Sequence, residues 1–104
     1  TGLIFDIPVG YSLRLHPRSG LSYKNGISLA NCEGVIDSDY TDPTYVMLFN
    51  ISESSFTVNH GDRIAQAELV KNEPTSFEQI EQAPGKKTSR EGGFGSTGLG
   101  GSKA

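Results

Sequence analysis

Tyr11-Ser12-Leu13-Arg14-Leu15-His16-Pro17-Arg18-Ser19-Gly20-Leu21 carries both of the local patterns that set the architecture. Tyr11, Leu13 and Leu15 alternate with other residues, the period of a strand with one face on a core. Pro17 ends that strand, because it has no N–H to give to a ladder. Ser19 then opens a short segment that stops at Asn25-Gly26, which predicts a turn or two of helix with Ser19 as its N-cap.

The same alternation recurs on both sides. Leu3, Phe5 and Ile7 lead to Pro8-Val9-Gly10, and Val35-Ile36 makes a brief apolar piece before Asp37. Residues 45–49 are apolar on both faces, as in a strand buried between layers. Phe56 and Val58 alternate up to a turn at Asn59-His60-Gly61-Asp62, and a further strand follows over 64–70. Six short strands with turn residues between them indicate an all-β sandwich or barrel with one short helix. Beyond Asn72 the apolar content thins, with Phe77 and Ile80 still expected to dock. After Pro84 the chain is rich in Gly, Ser and Lys, the composition of a flexible tail. The expected division is a β domain over 1–83 and a tail over 84–104.

Composition bounds the function. The 104 residues fit one small domain with a modest core, since 35% are apolar and none is Trp. A net charge of −3 and a pI near 5.2 lack the broad basic face of a nucleic-acid binder. Phosphate would therefore be met at a local, built site. Cys32 is the single cysteine, so no intramolecular disulfide can form, and it reads as a small packed residue. His16 and His60 are too far apart for a metal-ligand spacing. No stretch approaches a membrane span and Thr1-Gly2-Leu3 does not open a signal peptide, so the expectation is a soluble, cytoplasmic protein, in a host cytoplasm if it is viral.

Four segments could carry chemistry. Arg18, Ser19 and Gly20 combine a guanidinium fork, a hydroxyl and helix-terminal N–H groups, all phosphate ligands, although an ordinary strand-to-helix turn would read alike. Over 31–40, Asn31-Cys32-Glu33-Gly34-Val35-Ile36-Asp37-Ser38-Asp39-Tyr40, strand spacing puts Asp37 and Asp39 on one face. Their charges would oppose each other unless separated or solvated, and a carboxylate so placed can act as a general base toward water. The plainer alternative is an acidic turn closing a hairpin, and Tyr40 could stack on a ring or pack in the core. In Gly61-Asp62-Arg63-Ile64-Ala65-Gln66, a buried ion pair involving Asp62 and Arg63 is expected, whereas Gln66 could satisfy backbone or touch a ligand. The tail segment Ser89-Arg90-Glu91-Gly92-Gly93-Phe94-Gly95-Ser96-Thr97-Gly98 places a cation, an aromatic plate and two hydroxyls among glycines. Such a piece could close over a nucleotide as a lid, with lid residues at 90–98.

In this order, the four segments resemble the trimeric dUTPase family. Pro17 to Leu21 looks like its second motif, Gly34 to Tyr40 its third, Gly61 to Gln66 its fourth and Gly92 to Gly98 its fifth. The resemblance implies a distorted jelly-roll β fold, a homotrimer and hydrolysis of dUTP to dUMP and pyrophosphate at subunit boundaries. That reaction limits uracil incorporation into DNA and supplies dUMP for dTMP synthesis. It further implies that Asp37 activates the water that attacks the α-phosphorus, and that Tyr40 packs on the deoxyribose. Asn31, Gly34, Val35 and Ile36 would bind substrate around a hairpin that reads uracil largely through its backbone. Arg18, Ser19, Gly20 and Gln66 would bind phosphates. A neighbouring subunit's tail would bring Phe94 over the base, with Arg90, Gly95, Ser96 and Thr97 toward the γ-phosphate. Mg2+ would be held by the substrate phosphates and water, with no protein metal site. No nucleic acid or membrane partner is implied.

The sequence departs from the family pattern in three ways. An Asp-Ala-Gly-Tyr-Asp-Leu-like first motif has no counterpart, so an N-terminal portion is expected to be missing by truncation. Thr41-Asp42-Pro43 replaces the common Arg-Gly-Glu, and Arg90 stands one residue nearer Phe94 than in the commonest tail. Two other activities compete: a dCTP deaminase of the same fold, and a nucleotide-sensing regulatory module with a protein partner. Asp37 and the Gly-rich lid fit dUTP hydrolysis better than deamination, and an intact Asp37 argues against a purely non-catalytic module.

Overall fold

A computed structural model describes residues 1–94 and divides the chain into two units, the first being Thr1–Pro74. In this unit, strand β1 (Tyr11–His16) is followed by helix α1 (Ser19–Asn25), then β2 (Ile27–Leu29), β3 (Gly34–Asp37), β4 (Leu48–Asn50) and β5 (Gln66–Lys71). β1 is central in a three-stranded sheet of order β3-β1-β5, antiparallel to both neighbours, while β2 and β4 form a second antiparallel pair. The fold is thus mostly β with one short helix, as the alternation predicts.

The core explains the arrangement. Leu13, Leu15 and Ile36 from the larger sheet pack with Leu29 from the smaller one and with Ile7. Each such side chain contributes about 1.5–3 kcal/mol on full burial. Helix α1 begins differently from the expectation. Arg18, with extended backbone angles and no side-chain cap bond, occupies the N-cap, and Ser19 is the first helical residue. The predicted stop holds: Gly26 takes φ 68° and its N–H reaches the carbonyls of Leu21 and Ser22.

Three predicted strands need correction. Residues 3–7 pack Ile7 into the core but pair with no strand among the described residues; the Leu3 carbonyl accepts the Thr44 N–H at 2.8 Å. Residues 45–49 are not buried on both faces. Val46 and Leu48 turn inward, whereas Tyr45, Met47 and Phe49 are more than half exposed, and only 48–50 forms a strand. Phe56 and Val58 lie outside any strand, although the turn at 59–62 is present, with the Asp62 N–H on the Asn59 carbonyl at 3.0 Å. β2 was not anticipated, being too short to show a period.

In the second unit, which begins at Thr75, Phe77 and Ile80 are exposed. Gly92 adopts φ 76°, the Arg90 N–H donates to Thr88 Oγ1 at 3.1 Å, and Phe94 is fully exposed. Gly95, Ser96 and Thr97 lie outside the described residues.

Candidate active site

β3 and the turns at its two ends build a cleft of about 410 Å³. Gly34 starts the strand directly opposite Leu15. A Cβ at position 34 would come within 3.1 Å of Leu15 Cβ, tighter than ordinary side-chain contact, so the glycine lets the two strands approach closely there. Ile36 turns into the core, whereas Val35 and Asp37 face out. At the far end the Tyr40 N–H donates to the Asp37 carbonyl at 3.1 Å and reverses the chain.

Seven residues singled out from sequence come together at this cleft: Asn31, Gly34, Val35, Ile36, Asp37, Asp39 and Tyr40. Asp37 is exposed at the strand end, free to meet solvent water. Asp39 lines the same cleft but stands in the turn, so strand alternation does not relate the two carboxylates. Tyr40 packs against the core cluster, the second of the two roles left open for it, while also lining the cleft, and its Oη donates to the Pro43 carbonyl at 2.7 Å. Thr44, Tyr45 and Met47 complete the wall and carried no sequence signal. Thr44 Oγ1 is buried with no hydrogen-bond partner among the described residues.

A second group forms at the other end of β1. Arg18 Nη1 donates to the Arg63 carbonyl at 3.0 Å, and Gln66 Nε2 donates to the Pro17 carbonyl at 2.9 Å. These two bonds join segments almost fifty residues apart in sequence, and Gln66 thereby satisfies backbone. Ser19 and Gly20 are exposed beside them, and space around Gly20 is open. The expected buried ion pair of Asp62 and Arg63 is absent: both are exposed, and Asp62 Oδ2 accepts the Asn59 N–H at 2.8 Å. Asp62 closes its own turn, which consumes the carboxylate locally.

The two groups do not meet within one copy of the chain. Asp37 pairs with Ser12 and Gln66 with His16, so they sit on opposite flanks of β1 and four residues apart along it. Standard strand spacings put their Cα atoms ~16 Å apart.

One polar cluster had no sequence signal. Glu33 Oε1 accepts from Arg14 Nη1 at 2.8 Å, and Glu33 Oε2 accepts from His16 Nε2 at 2.7 Å. The His16 bond first, and the Arg14 bond second, hold the Glu33 carboxyl below its ordinary range. Cys32 is exposed and not packed as expected, because the turn carries it away from the core. Among the described residues no group of three or more His, Cys, Asp or Glu side chains is placed to hold a metal, and no helix is long and apolar enough to cross a membrane.

Comparison with known proteins decides the family: the family model described as dUTPase matches residues 1–98. The chain belongs to the dUTPase family. It is similar to deoxyuridine 5'-triphosphate nucleotidohydrolases from several bacteria. With that of Finegoldia magna it is 46% identical over 99 residues, covering 94% of this chain and 68% of the relative. For Dinoroseobacter shibae the figures are 46% over 101 residues, 96% and 64%, and for Brucella melitensis 47% over 100 residues, 94% and 62%. This dUTPase-family chain therefore spans about two thirds of the length of such relatives.

Proposed function

We propose that this chain supplies the machinery for hydrolysis of dUTP to dUMP and pyrophosphate, in a homotrimer whose sites are completed between copies. The observation that carries the reading is the cleft itself, where the turn backbone at Asn31 and Gly34, the Tyr40 ring and the Asp37 carboxylate face one space. The nucleotidohydrolase relatives support the substrate. The wide separation of Asp37 from Gln66 supports a shared site, since a triphosphate does not span it within one copy. The two small antiparallel sheets are consistent with a jelly-roll arrangement.

In this mechanism the turn at 30–33 offers backbone donors and acceptors to uracil, and Tyr40 packs on the deoxyribose. Asp37 takes the proton from the water that attacks the α-phosphorus, a general-base role suited to an exposed carboxylate. Arg18, Ser19 and Gln66 of another copy bind phosphates, as charge-assisted donors and fixed amides do. Arg90 and Phe94 belong to a tail that closes the site and excludes water.

The donor set fits magnesium. The cleft carries hard oxygen donors, Asp37 and Asp39, and none of the His and Cys ligands of a zinc site. When bound on the triphosphate with water ligands, the ion offsets phosphate charge.

Asp37→Asn tests the mechanism. It is expected to lower kcat by about 10²–10⁴-fold with nucleotide affinity retained, read by pyrophosphate release and calorimetry. Retained turnover would remove Asp37 from its role.

A further inference from the structure

The turn at 30–33 holds a conformation that its own residues do not favour. Cys32 has φ 62°, a left-handed geometry that costs a residue with a Cβ about 1–2 kcal/mol. The Glu33 N–H donates to the Asn31 carbonyl only two residues back, at 2.6 Å. The Cys32 side chain is exposed and packs on no core.

What holds the turn comes mostly from outside it. The Ala30 N–H donates to the Met47 carbonyl at 2.8 Å, and the Cys32 N–H to the Leu29 carbonyl at 3.1 Å. A further tie is the Glu33 carboxylate, each oxygen of which accepts from a different side chain of β1. Sheet register makes this possible. Gly34 faces Leu15, so position 33 falls opposite His16 and diagonal to Arg14, on the face those two share. Arg14 is itself anchored. Its Nε donates to Ser12 Oγ at 3.0 Å, and that hydroxyl donates to Asn72 Oδ1 at 2.9 Å. Ser12 is 1% exposed, so the chain of contacts passes through a buried hydroxyl.

We propose that the Arg14–Glu33–His16 bridge is a positioning device, which holds the turn at 30–33 in its left-handed form so that the Asn31 and Gly34 backbone meets the pyrimidine. The proposal rests on reading that turn as the base-recognising element. The three side chains touch β1 and the turn and act through the backbone. The lowered Glu33 carboxyl agrees with this geometry, because the His16 bond first and the Arg14 bond second favour its ionised form. The half-exposed setting limits the effect to a few-fold.

Amide hydrogen exchange and steady-state kinetics on dUTP and dCTP, in the full chain, test the bridge. Glu33→Gln is expected to speed exchange at the Cys32 and Glu33-position amides about two- to fivefold. KM for dUTP should rise by a similar factor with kcat unchanged. Adding Cys32→Gly, which accepts the left-handed geometry without strain, should restore KM. An unchanged KM in Glu33→Gln, or a raised KM that Cys32→Gly fails to reverse, overturns the proposal. A wild-type chain that releases no pyrophosphate from dUTP counts against the proposed function alone, and the exchange rates then still decide the bridge.

Discussion

Gly34 and Leu15 face each other across β3 and β1 so closely that a methyl group at position 34 would sit 3.1 Å from Leu15 Cβ. The same glycine lines the cleft, so packing and the site share one residue. Gly34→Ala is expected to push β3 from β1 and destabilise the chain by about 1–3 kcal/mol. It should also displace Asp37, which lies on the same short strand. Denaturant unfolding checks the first effect and kcat the second; an unchanged midpoint would mean that the strands are not packed as described.

The Glu33 bridge gives stability a defined pH dependence. Hydrogen bonds from His16 and then Arg14 hold the carboxyl below its ordinary value of 4.5, and Glu68 of β5 stands opposite Arg14. A folded pKa below the unfolded one means that the contribution is complete above about 4.5 and is lost as pH falls through the lowered value. The thermal midpoint should therefore fall more steeply for the wild type than for Glu33→Gln between about pH 5 and 3. Parallel curves would contradict the bridge.

Thr44 carries a buried hydroxyl without a partner among the described residues, while its backbone N–H and carbonyl are both engaged. Leaving such a group unpaired costs about 1–3 kcal/mol. Thr44→Val keeps the shape, removes the hydroxyl and should raise Tm by about 4 °C or more, since 1 kcal/mol moves a small domain that far. A lowered Tm would show that the hydroxyl is satisfied in solution.

Removing the tail separates assembly from catalysis. A chain cut after Ala83 should keep the same oligomeric state by light scattering and lose kcat by about 10²-fold or more, as when a lid and its anion donors are taken away. Full turnover without the tail would exclude a closing role for Arg90 and Phe94.

Much of the fold was legible because β1 and the end of α1 announce themselves locally. Tyr11, Leu13 and Leu15 alternate, and Gly26 is the residue best able to turn left-handed after a helix. Residues 3–7 alternate equally well yet form no strand, since alternation reports a buried face and pairing needs a partner. Residues 45–49 misled for a related reason: Tyr45, Met47 and Phe49 are apolar but exposed. At the site, Asp37, Tyr40 and the turn at 30–33 were legible as one run of sequence that stays together in space. The Glu33 bridge was not, because Arg14 and His16 lie 19 and 17 residues from Glu33 in the chain and meet it only through sheet register. The separation of Asp37 from Gln66 was invisible for the same reason.

The central claim is tested most directly by pyrophosphate release from a panel of dUTP, dCTP and UTP with magnesium. The expected result, if the turn at 30–33 reads the base and Tyr40 packs on the deoxyribose as proposed, is rapid release from dUTP with dCTP and UTP left largely untouched. Equal turnover of dCTP, or no turnover of dUTP, would contradict it.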